Sequence, residues 1–405
     1  MKQAKQLQEE KKLTTWEDIE ELKPQLYCCG GFDVHRDKIE VCILRGVEKA
    51  QAKRETFGTT QKEYNRLVEW LAAEGCYNIA MESTGVYWKP VFETIEKIAE
   101  YTEHIWVVNP QHMKNLPGRK TDVKDAQWIA MMLRVGLLEK SFVPNITIRD
   151  LRECTRLQRT FVQEKARYMN RVEKFLQAHG FKFSSVMSDI FCVTGRCLLD
   201  LLRDKGKITE QDVLNNCHRL RSHSIQEISD AVCGNLSAAE QRLLKQLLHK
   251  IDSSQKDIES IRTDMLILVE DFWGQIEIID SVPGFDNESA IEIIAEISAN
   301  PQEHFSSGER LCSWAGVVPR NDESAGKIKS SRIMHGNPHL KSILCQAAWA
   351  AVRTRNSSFH KWFWSHQGKI GRKKAIIAVA RKLLMLIYKL LSSGEKYHPP
   401  ELSQA

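Results

Sequence analysis

Short apolar segments alternate with amphipathic ones through residues 26–146, and this alternation constrains the fold more tightly than any other feature of the chain. Apolar runs of about four to eight residues are typical of β-strands, whereas apolar residues three and four positions apart are typical of helices. The pattern predicts strands at 26–33, 38–44, 54–57, 78–82 and 105–110, and helices at 60–73, 88–100 and from 122. This β-β-β-α-β-α-β-α order predicts an α/β domain with a mixed sheet.

Acidic residues stand where these elements end or begin. Asp33 ends the first predicted strand, and Glu82 ends the fourth. Asp122 and Asp125 open the last helix, where a spacing of three puts them on one face. Sites in open α/β sheets form at the carboxyl ends of strands, so the four acids are expected to converge around Mg²⁺, which prefers oxygen ligands. The alternative for the helical pair is an ordinary helix start whose acids complement the helix dipole.

Two long amphipathic helices are predicted in the middle of the chain, over residues 148–179 and 238–269. They are expected to form an antiparallel hairpin or an intermolecular coiled coil. From residue 276 the spacing becomes that of a helix-hairpin-helix, whose glycine turn, here Gly284, lets backbone N–H groups approach a DNA phosphate. An ordinary αα-hairpin is the alternative.

A basic block occupies the C-terminal part of the chain. Residues 324–394 contain fourteen lysines and arginines and no acidic residue, although the whole chain carries a formal net charge of only +6. Such a block indicates a polyanionic partner, and nucleic acid is the favoured one. The predicted nucleic-acid contacts are the turn at Gly284 and the side chains of Arg320, Lys327, Lys329, Arg332, Arg372, Lys373 and Lys374.

Other classes of protein are disfavoured by the sequence. No apolar run near the N-terminus has the form of a secretory signal, and three cations interrupt the most apolar helix, 375–391, so no membrane span is expected. The eleven cysteines contain no CxxC pair, which favours buried thiols of a reducing cytosol over disulfides or a zinc site.

Three motifs carry a resemblance to a known family. They are Phe32–Lys38, Met81–Trp88, and Asn109–Pro110 leading into Lys120–Ala126. In this order they resemble the DEDD transposases, which are recombinases of the insertion sequence one-hundred-ten family with a RuvC-like (ribonuclease H-like) domain. The resemblance implies an acidic tetrad that holds two Mg²⁺ ions, or Mn²⁺ in their place. Its members would be Asp33, Glu82, Asp122 and Asp125.

The C-terminal part resembles the transposase domain of the same family, over residues 311–327 and 330–340. The resemblance implies a serine nucleophile in a basic, glycine-containing loop, and the matching position is Ser324. Ala325 stands where the family usually has glycine, so Ser330 and Ser331 remain as alternative nucleophiles. A serine hydroxyl needs activation and nearby cations before it can attack a phosphate.

The expected architecture is α/β plus all-α: a RuvC-like mixed sheet, a central helical hairpin or coiled coil, and a C-terminal helical transposase domain with a helix-hairpin-helix. The expected segments are an N-terminal extension (1–25), the DEDD domain (26–146), a helical linker with an insertion (147–275), the transposase domain (276–395) and a tail (396–405).

The resemblance implies a DNA transposase that cuts and rejoins DNA through a serine–DNA intermediate. Its expected partners are donor and target DNA, a non-coding bridge RNA and further copies of the chain, from dimer to tetramer. The large helical middle favours the eleven-eleven subgroup, and the expected location is the prokaryotic cytoplasm, at the nucleoid. Two alternatives remain: a RuvC-like Holliday junction endonuclease that uses metal-activated water, and a non-catalytic nucleic-acid-binding protein.

Overall fold

The chain divides into two compact units in a computed structural model, with the boundary after Val143. The structure describes residues 19, 22–47, 49–101, 104–114, 125–217, 223–319, 322–324, 327–330, 332–355 and 357–399.

The first unit is built on a five-stranded mixed sheet. The strands are β1 (Cys28–Val34), β2 (Ile39–Arg45), β3 (Gln51–Phe57), β4 (Ile79–Glu82) and β5 (Ile105–Val108). Their spatial order is β3-β2-β1-β4-β5, in which β1, β2 and β3 are antiparallel neighbours. β4 and β5 join the sheet parallel to β1. The predicted mixed sheet is therefore confirmed, and its strands come along the chain in the predicted sequence of elements.

Helices cover both faces of this sheet because alternate strand residues are apolar on both sides. The helices of the first unit are α1 (Gln61–Ala73), α2 (Trp88–Glu96), α3 (Pro110–Lys114) and α4 (Asp125–Arg134), with a short 3₁₀ turn at Ala99–Tyr101. On one face Phe32 and Met81 pack with Leu67 of α1 and Val91 of α2. On the other face the sheet residues Cys29, Cys42, Ala80 and Val108 pack against α4.

Ile19, within the predicted N-terminal extension, is fully buried in the core beside α4. Leu22 and Leu26 pack against the same core. The described part of that extension therefore contributes apolar contacts to the first unit. The predicted division of the chain into five segments stays a prediction.

Two long helices organise the second unit. They are α5 (Ile146–Ala178) and α10 (Ala238–Leu268), close to the predicted ranges. Lys165 donates a hydrogen bond to Gln255, and nearer the end of α5 His179 pairs with Glu240 near the start of α10. Because later residues of one helix meet earlier residues of the other, the two helices are antiparallel.

Smaller helices fill the space between and after the long ones. The insertion contains α6 (Phe183–Val186), α7 (Val193–Lys205), α8 (Glu210–Asn216), α9 (Ile225–Val232) and the two-stranded pairing of β6 (Lys207–Ile208) with β7 (Gly234–Asn235). The C-terminal part contains α11 (Trp273–Asp280), α12 (Asn287–Ile297), α13 (Gly308–Ala315), α14 (Pro338–Arg353), α15 (Ser358–Ile370) and α16 (Arg372–Ser393). Short 3₁₀ turns lie at Glu270–Phe272 and Pro301–Glu303, and a hairpin pairs β8 (Asp322–Ser324) with β9 (Lys327–Ser330).

All eleven cysteines are free thiols, but only five of them are buried, five are half-buried and Cys197 is exposed. The prediction of buried thiols therefore holds for fewer than half of them. Among the described helices, none combines the length and the apolar character needed to cross a bilayer.

Candidate active site

Three of the four predicted acids line one cavity in the first unit. Asp33, Glu82 and Asp125 lie around a space of about 200 Å³, which is also lined by His35 and Thr84. Asp122 lies outside the described residues. The structure thus brings together the described members of the predicted tetrad, and their role as metal ligands stays a prediction.

The sheet register places two of these acids at the same edge. Phe32 of β1 pairs with Met81 of the parallel strand β4, so the next residues, Asp33 and Glu82, follow at the carboxyl ends of adjacent strands. Phe32 and Met81 belong to the core on the α1 and α2 side. Since side chains alternate along a strand, Asp33 and Glu82 belong to the opposite face, on which α4 packs.

A glycine lets the third acid approach. Gly31 lies against the backbone of α4, and a Cβ atom at this position would overlap the main chain of Ala126 and Ala130. The absence of a side chain at Gly31 therefore allows α4 to lie directly on β1, with Asp125 in the first turn of the helix.

The other end of α4 is held by Arg134. Its buried guanidinium donates hydrogen bonds of 2.8 Å to the carbonyl oxygens of Gly46 and Val47.

The electrostatics of the cavity favour a bound cation. Burial raises the pKa of Asp33, the charge and hydrogen bond of His35 oppose this rise, and the negative charge of Asp125 adds to it. His35 Nε2 lies 3.0 Å from Asp33 Oδ2, and Thr84 donates a 2.8 Å hydrogen bond to Glu82. A cation among these carboxylates would offset their mutual repulsion.

The donor set fits a hard divalent ion in its chemistry. Mg²⁺ takes carboxylate oxygens together with water and substrate phosphate oxygens, so a few carboxylates around an open cavity suit it. Among the described residues, however, no three potential ligands lie close enough together to form a ready-made metal site. The described carboxylates therefore line the cavity without closing around a single point.

The predicted serine lies on the β8–β9 hairpin of the second unit. Ser324 ends β8 and pairs with Lys327, which begins β9, so the serine backbone stands beside the hairpin turn. Ser330 ends β9, and its Oγ accepts a 3.2 Å hydrogen bond from the backbone N–H of Arg332. The side chains of residues 321–329 are not described, and Arg320 and Ser331 lie outside the described residues. The choice among the three serines stays a prediction.

Three of the predicted nucleic-acid contacts come together near this hairpin. Arg332, Lys373 and Lys374 line one groove in the second unit, together with Lys341 and Arg381. Sequence reasoning missed the last two, although Lys374 and Arg381 are seven residues apart on α16 and hence on one helical face. The sequence gives no such indication for Lys341 on α14. Its neighbours in the groove belong to a loop, which has no periodic spacing from which the contact could be predicted.

Two other predicted contacts have different surroundings. The guanidinium of Arg372 lies over the ring of Trp349, 4.9 Å from its centre. The turn glycine Gly284 has a φ of +99°, and a Cβ atom there would overlap the carbonyl oxygen of Ala347 on α14. The structure therefore gives this glycine a packing role.

The pocket beside Gly284 carries three acids, Asp286, Glu288 and Glu292, a charge that does not favour a phosphate. Two helices, α11 and α12, do flank the turn, but its identity as a helix-hairpin-helix stays a prediction.

A buried carboxylate, also missed from the sequence, ties α5 to the segment that follows the hairpin. Glu296 is 1% exposed and accepts hydrogen bonds from Arg156 at 2.9 and 2.8 Å and from Asn337 at 2.6 Å. Asn337 caps α14 by accepting from the backbone N–H groups of His339 and Leu340. The spacing of Arg152 and Arg156 on one face of α5 was the available signal, but their acidic partner is 140 residues away.

Comparison with known proteins gives two family matches in the chain. Residues 30–180 match the DEDD transposase model of the IS110 family, and residues 276–363 match the model described as transposase IS116/IS110/IS902 family. The two matches cover more than half of the chain between them. The first contains the acid-lined cavity, and the second contains the serine hairpin.

Individual relatives match over shorter stretches. A candidate transposase of Sinorhizobium fredii is 35% identical over 104 residues, which are 24% of this chain and 26% of the relative. A candidate family 20 transposase of Pseudomonas aeruginosa is 28% identical over 133 residues, 31% of this chain and 38% of the relative. The pilin gene-inverting protein of Moraxella bovis is 27% identical over 124 residues, 30% of this chain and 38% of the relative.

These alignments span only a quarter to two fifths of the relatives' lengths. The family models reach further, since they match both the sheet domain and the C-terminal helical region. On the strength of those two matches, the chain belongs to the IS110 family of transposases.

Proposed function

We propose that this protein is a DNA transposase that cuts and rejoins DNA strands to move an insertion sequence. The observation that carries the proposal is the convergence of Asp33, Glu82 and Asp125, from three separate elements, on one cavity within a matched DEDD domain. The names of two kinds of relative, transposase and pilin gene-inverting protein, point to the same chemistry of DNA rearrangement.

The acids would hold divalent metal, with Asp122 as the fourth ligand. Bound Mg²⁺ would supply charge stabilisation for the phosphoryl group during transfer. The residues of this chain would do the rest: Thr84 orients the carboxylate of Glu82, and His35 orients that of Asp33 through their hydrogen bonds.

Ser324 would be the nucleophile, with Ser330 and Ser331 as alternatives. Its Oγ would form a bond to the phosphorus of the scissile phosphodiester while one P–O bond to a DNA strand breaks. The hydroxyl proton ends on the leaving strand oxygen, so the strand departs with a free hydroxyl. Attack by a second strand's hydroxyl on the phosphoserine would rejoin DNA and restore the serine. Cations beside the serine would stabilise the transition state. Lys327, whose backbone pairs with Ser324 across the hairpin, is the described cation nearest to it in the chain.

The wider assembly is part of the proposal. Donor and target DNA, a bridge RNA and a homo-oligomer of two to four copies would complete the active complex, and the chain would belong to the eleven-eleven subgroup. The bridge RNA and the oligomer rest on the resemblance of the motifs, and the subgroup rests on the large helical middle of the chain. The acid-free basic block of residues 324–394 supports a nucleic-acid partner.

The proposal is tested by incubating the protein with Mg²⁺, element-end DNA and the element's RNA, followed by denaturing electrophoresis. A protein–DNA adduct supports the transposase. Strand nicking without an adduct, lost on Asp125→Asn but kept on Ser324→Ala, would instead indicate a junction endonuclease. If neither substitution changes the DNA products, the catalytic proposal fails.

A further inference from the structure

The groove that collects the basic residues of the second unit also has an apolar surface. Its volume is about 710 Å³, within the range of roughly 300–1,000 Å³ found for small-molecule sites. One wall is the paired segment around Pro319 and Ile333, and the other is α16. The apolar lining residues are Val317, Pro319, Ile333, Met334, Ile377 and Ala378.

Cations surround this apolar surface. Arg332, Lys373, Lys374 and Arg381 line the groove, and none of its described lining residues is acidic. Lys373 and Lys374 are exposed in the first turn of α16. The groove therefore combines positive charge with an apolar surface in a way that an ordinary basic face does not.

Two contacts concern how the walls of the groove are held in place. The ammonium group of Lys341 donates hydrogen bonds to the carbonyl oxygens of Met334, at 2.9 Å, and His335, at 2.6 Å, which fixes the loop wall. The Nε atom of Arg381 is buried and has no hydrogen-bond partner among the described residues. Such an atom is commonly satisfied by an ordered water, an ion or a bound group.

The chemistry of the groove decides which form of nucleic acid fits it. The backbone of a duplex presents phosphates and sugars, for which cationic side chains are sufficient. It has no apolar part that would fill an apolar cavity. A nucleotide whose base is unpaired presents a phosphate next to an apolar ring face, and proteins bind such bases in closed pockets or on apolar side chains. The apolar surface and the surrounding cations match these two parts.

We propose that this groove binds a nucleotide whose base is unpaired. The base lies between Ile377 and Ala378 on α16 and Ile333 on the loop, and its flanking phosphates meet Arg332, Lys373 and Lys374. The inference rests on the proposed function only in that nucleic acid is the substrate, and it adds that one base is taken out of the stack.

The test is binding of labelled twelve-nucleotide oligomers to the full-length protein in EDTA, measured by fluorescence anisotropy. The probes are single-stranded DNA, the same strand with central abasic sites, its duplex, and single-stranded RNA of the same sequence. We expect the intact single strand to bind about tenfold more tightly than the abasic strand. The RNA arm shows whether the unpaired base can come from either nucleic acid.

Two variants separate the base from the phosphates. Ala378→Phe fills the groove without changing its charge, so it should weaken the intact single strand about tenfold and leave the abasic strand and the duplex unchanged. The double variant Lys373→Gln, Lys374→Gln should weaken all the probes. Ala239→Phe, at an exposed site on α10 outside the groove, is the matched control and should change nothing.

Equal binding of intact and abasic strands by the wild type would overturn the proposal, as would an equal effect of Ala378→Phe on every probe. The smaller change Ala378→Leu answers the same question if the phenylalanine variant does not fold. Binding is measured in EDTA, so it does not depend on metal-dependent cleavage. If the protein binds the unpaired base in this assay but cuts no DNA in the separate assay with Mg²⁺, the transposase proposal fails and the groove proposal is supported.

Discussion

Arg156 and Glu296 form a two-pronged ion pair inside the second unit, with Nε to Oε1 at 2.9 Å and Nη2 to Oε2 at 2.8 Å. The carboxylate is 1% exposed and accepts a further hydrogen bond from Asn337, which caps the helix that follows the serine hairpin. The pair therefore joins the long helix α5 to the segment that supports the candidate nucleophile.

Removing one partner of this pair should strongly destabilise the protein. Arg156→Ala leaves the buried Glu296 with fewer partners, and we expect a loss of about 3–5 kcal/mol in the free energy of unfolding, measured by urea denaturation. The exposed pair of Arg262 and Glu288 is the matched control. Arg262→Ala should cost less than about 1 kcal/mol. Equal effects of the two substitutions would contradict the account.

The same pair makes stability depend on pH. Burial tends to raise the pKa of Glu296, but the hydrogen bonds and charges of Arg156 and Arg152 outweigh it and hold the pKa below its usual value. A depressed pKa stabilises the fold above the unfolded pKa, and this contribution is lost as pH falls through the folded value. Unfolding monitored from pH 7 to pH 3 should show a steeper loss of stability in the wild type than in Glu296→Gln.

Gly31→Ala should disrupt the acid-lined cavity by displacing α4 from the sheet. The new methyl group would overlap the backbone of α4 at Ala126 and Ala130, and a rigid backbone cannot move aside cheaply. We expect a loss of about 3 kcal/mol or failure of the first unit to fold. Gly368→Ala on α15, where no atom lies within 4 Å of the added carbon, should be neutral or slightly stabilising. Circular dichroism melting curves of the two variants distinguish these outcomes.

Much of the first unit could be predicted from its sequence because its signals are local. Strands end near the predicted positions, as with β4 at Glu82, since apolar alternation and a following turn are visible within a few residues. The position of Asp33 at the edge of the sheet follows from the same local pattern. The contact between Gly31 and α4 could not be predicted, because it joins residues about a hundred positions apart through backbone packing alone.

Less of the organisation of the second unit could be predicted from its sequence. The long helices were visible from their periodicity, but the partners of Glu296 and the clustering of Lys341 with Arg381 depend on how separate helices pack. The glycine turn at Gly284 shows the converse: its sequence pattern predicted an exposed DNA contact, whereas the glycine packs against α14. Local pattern indicates a turn but does not indicate what the turn faces.

Divalent metal should stabilise the first unit if the carboxylates hold it. Saturating MgCl₂ should raise the melting temperature of the wild type, because a ligand that binds only the folded state stabilises it. Asp33→Asn should melt at or above the wild-type temperature without metal, since it removes a charge disfavoured by burial and by Asp125, but should gain nothing from Mg²⁺. An equal Mg²⁺ shift in both proteins would place the ion elsewhere.

The thiol of Cys28 should be the exceptional cysteine in the first unit. A hydrogen bond from Cys76, with the positive charge of Arg45, lowers the pKa of Cys28 below that of a free thiol, whereas burial raises the pKa of Cys29 to about 12. The rate of alkylation by iodoacetamide, followed by mass spectrometry, should rise at a lower pH at Cys28 than at a free thiol and stay negligible at Cys29. Arg45→Gln should move the Cys28 midpoint to higher pH. A wild-type midpoint near that of a free thiol would refute this assignment.

We propose that a serine of the hairpin region attacks DNA with help from the acids Asp33, Glu82 and Asp125. Peptide mapping of the adduct formed with element-end DNA, element RNA and Mg²⁺ tests this division of roles. We expect a phosphodiester link at Ser324, no adduct in Ser324→Ala, and no adduct in Asp125→Asn despite a native melting curve. Strand cleavage that proceeds without any protein–DNA link, or a link that survives Asp125→Asn, would contradict it.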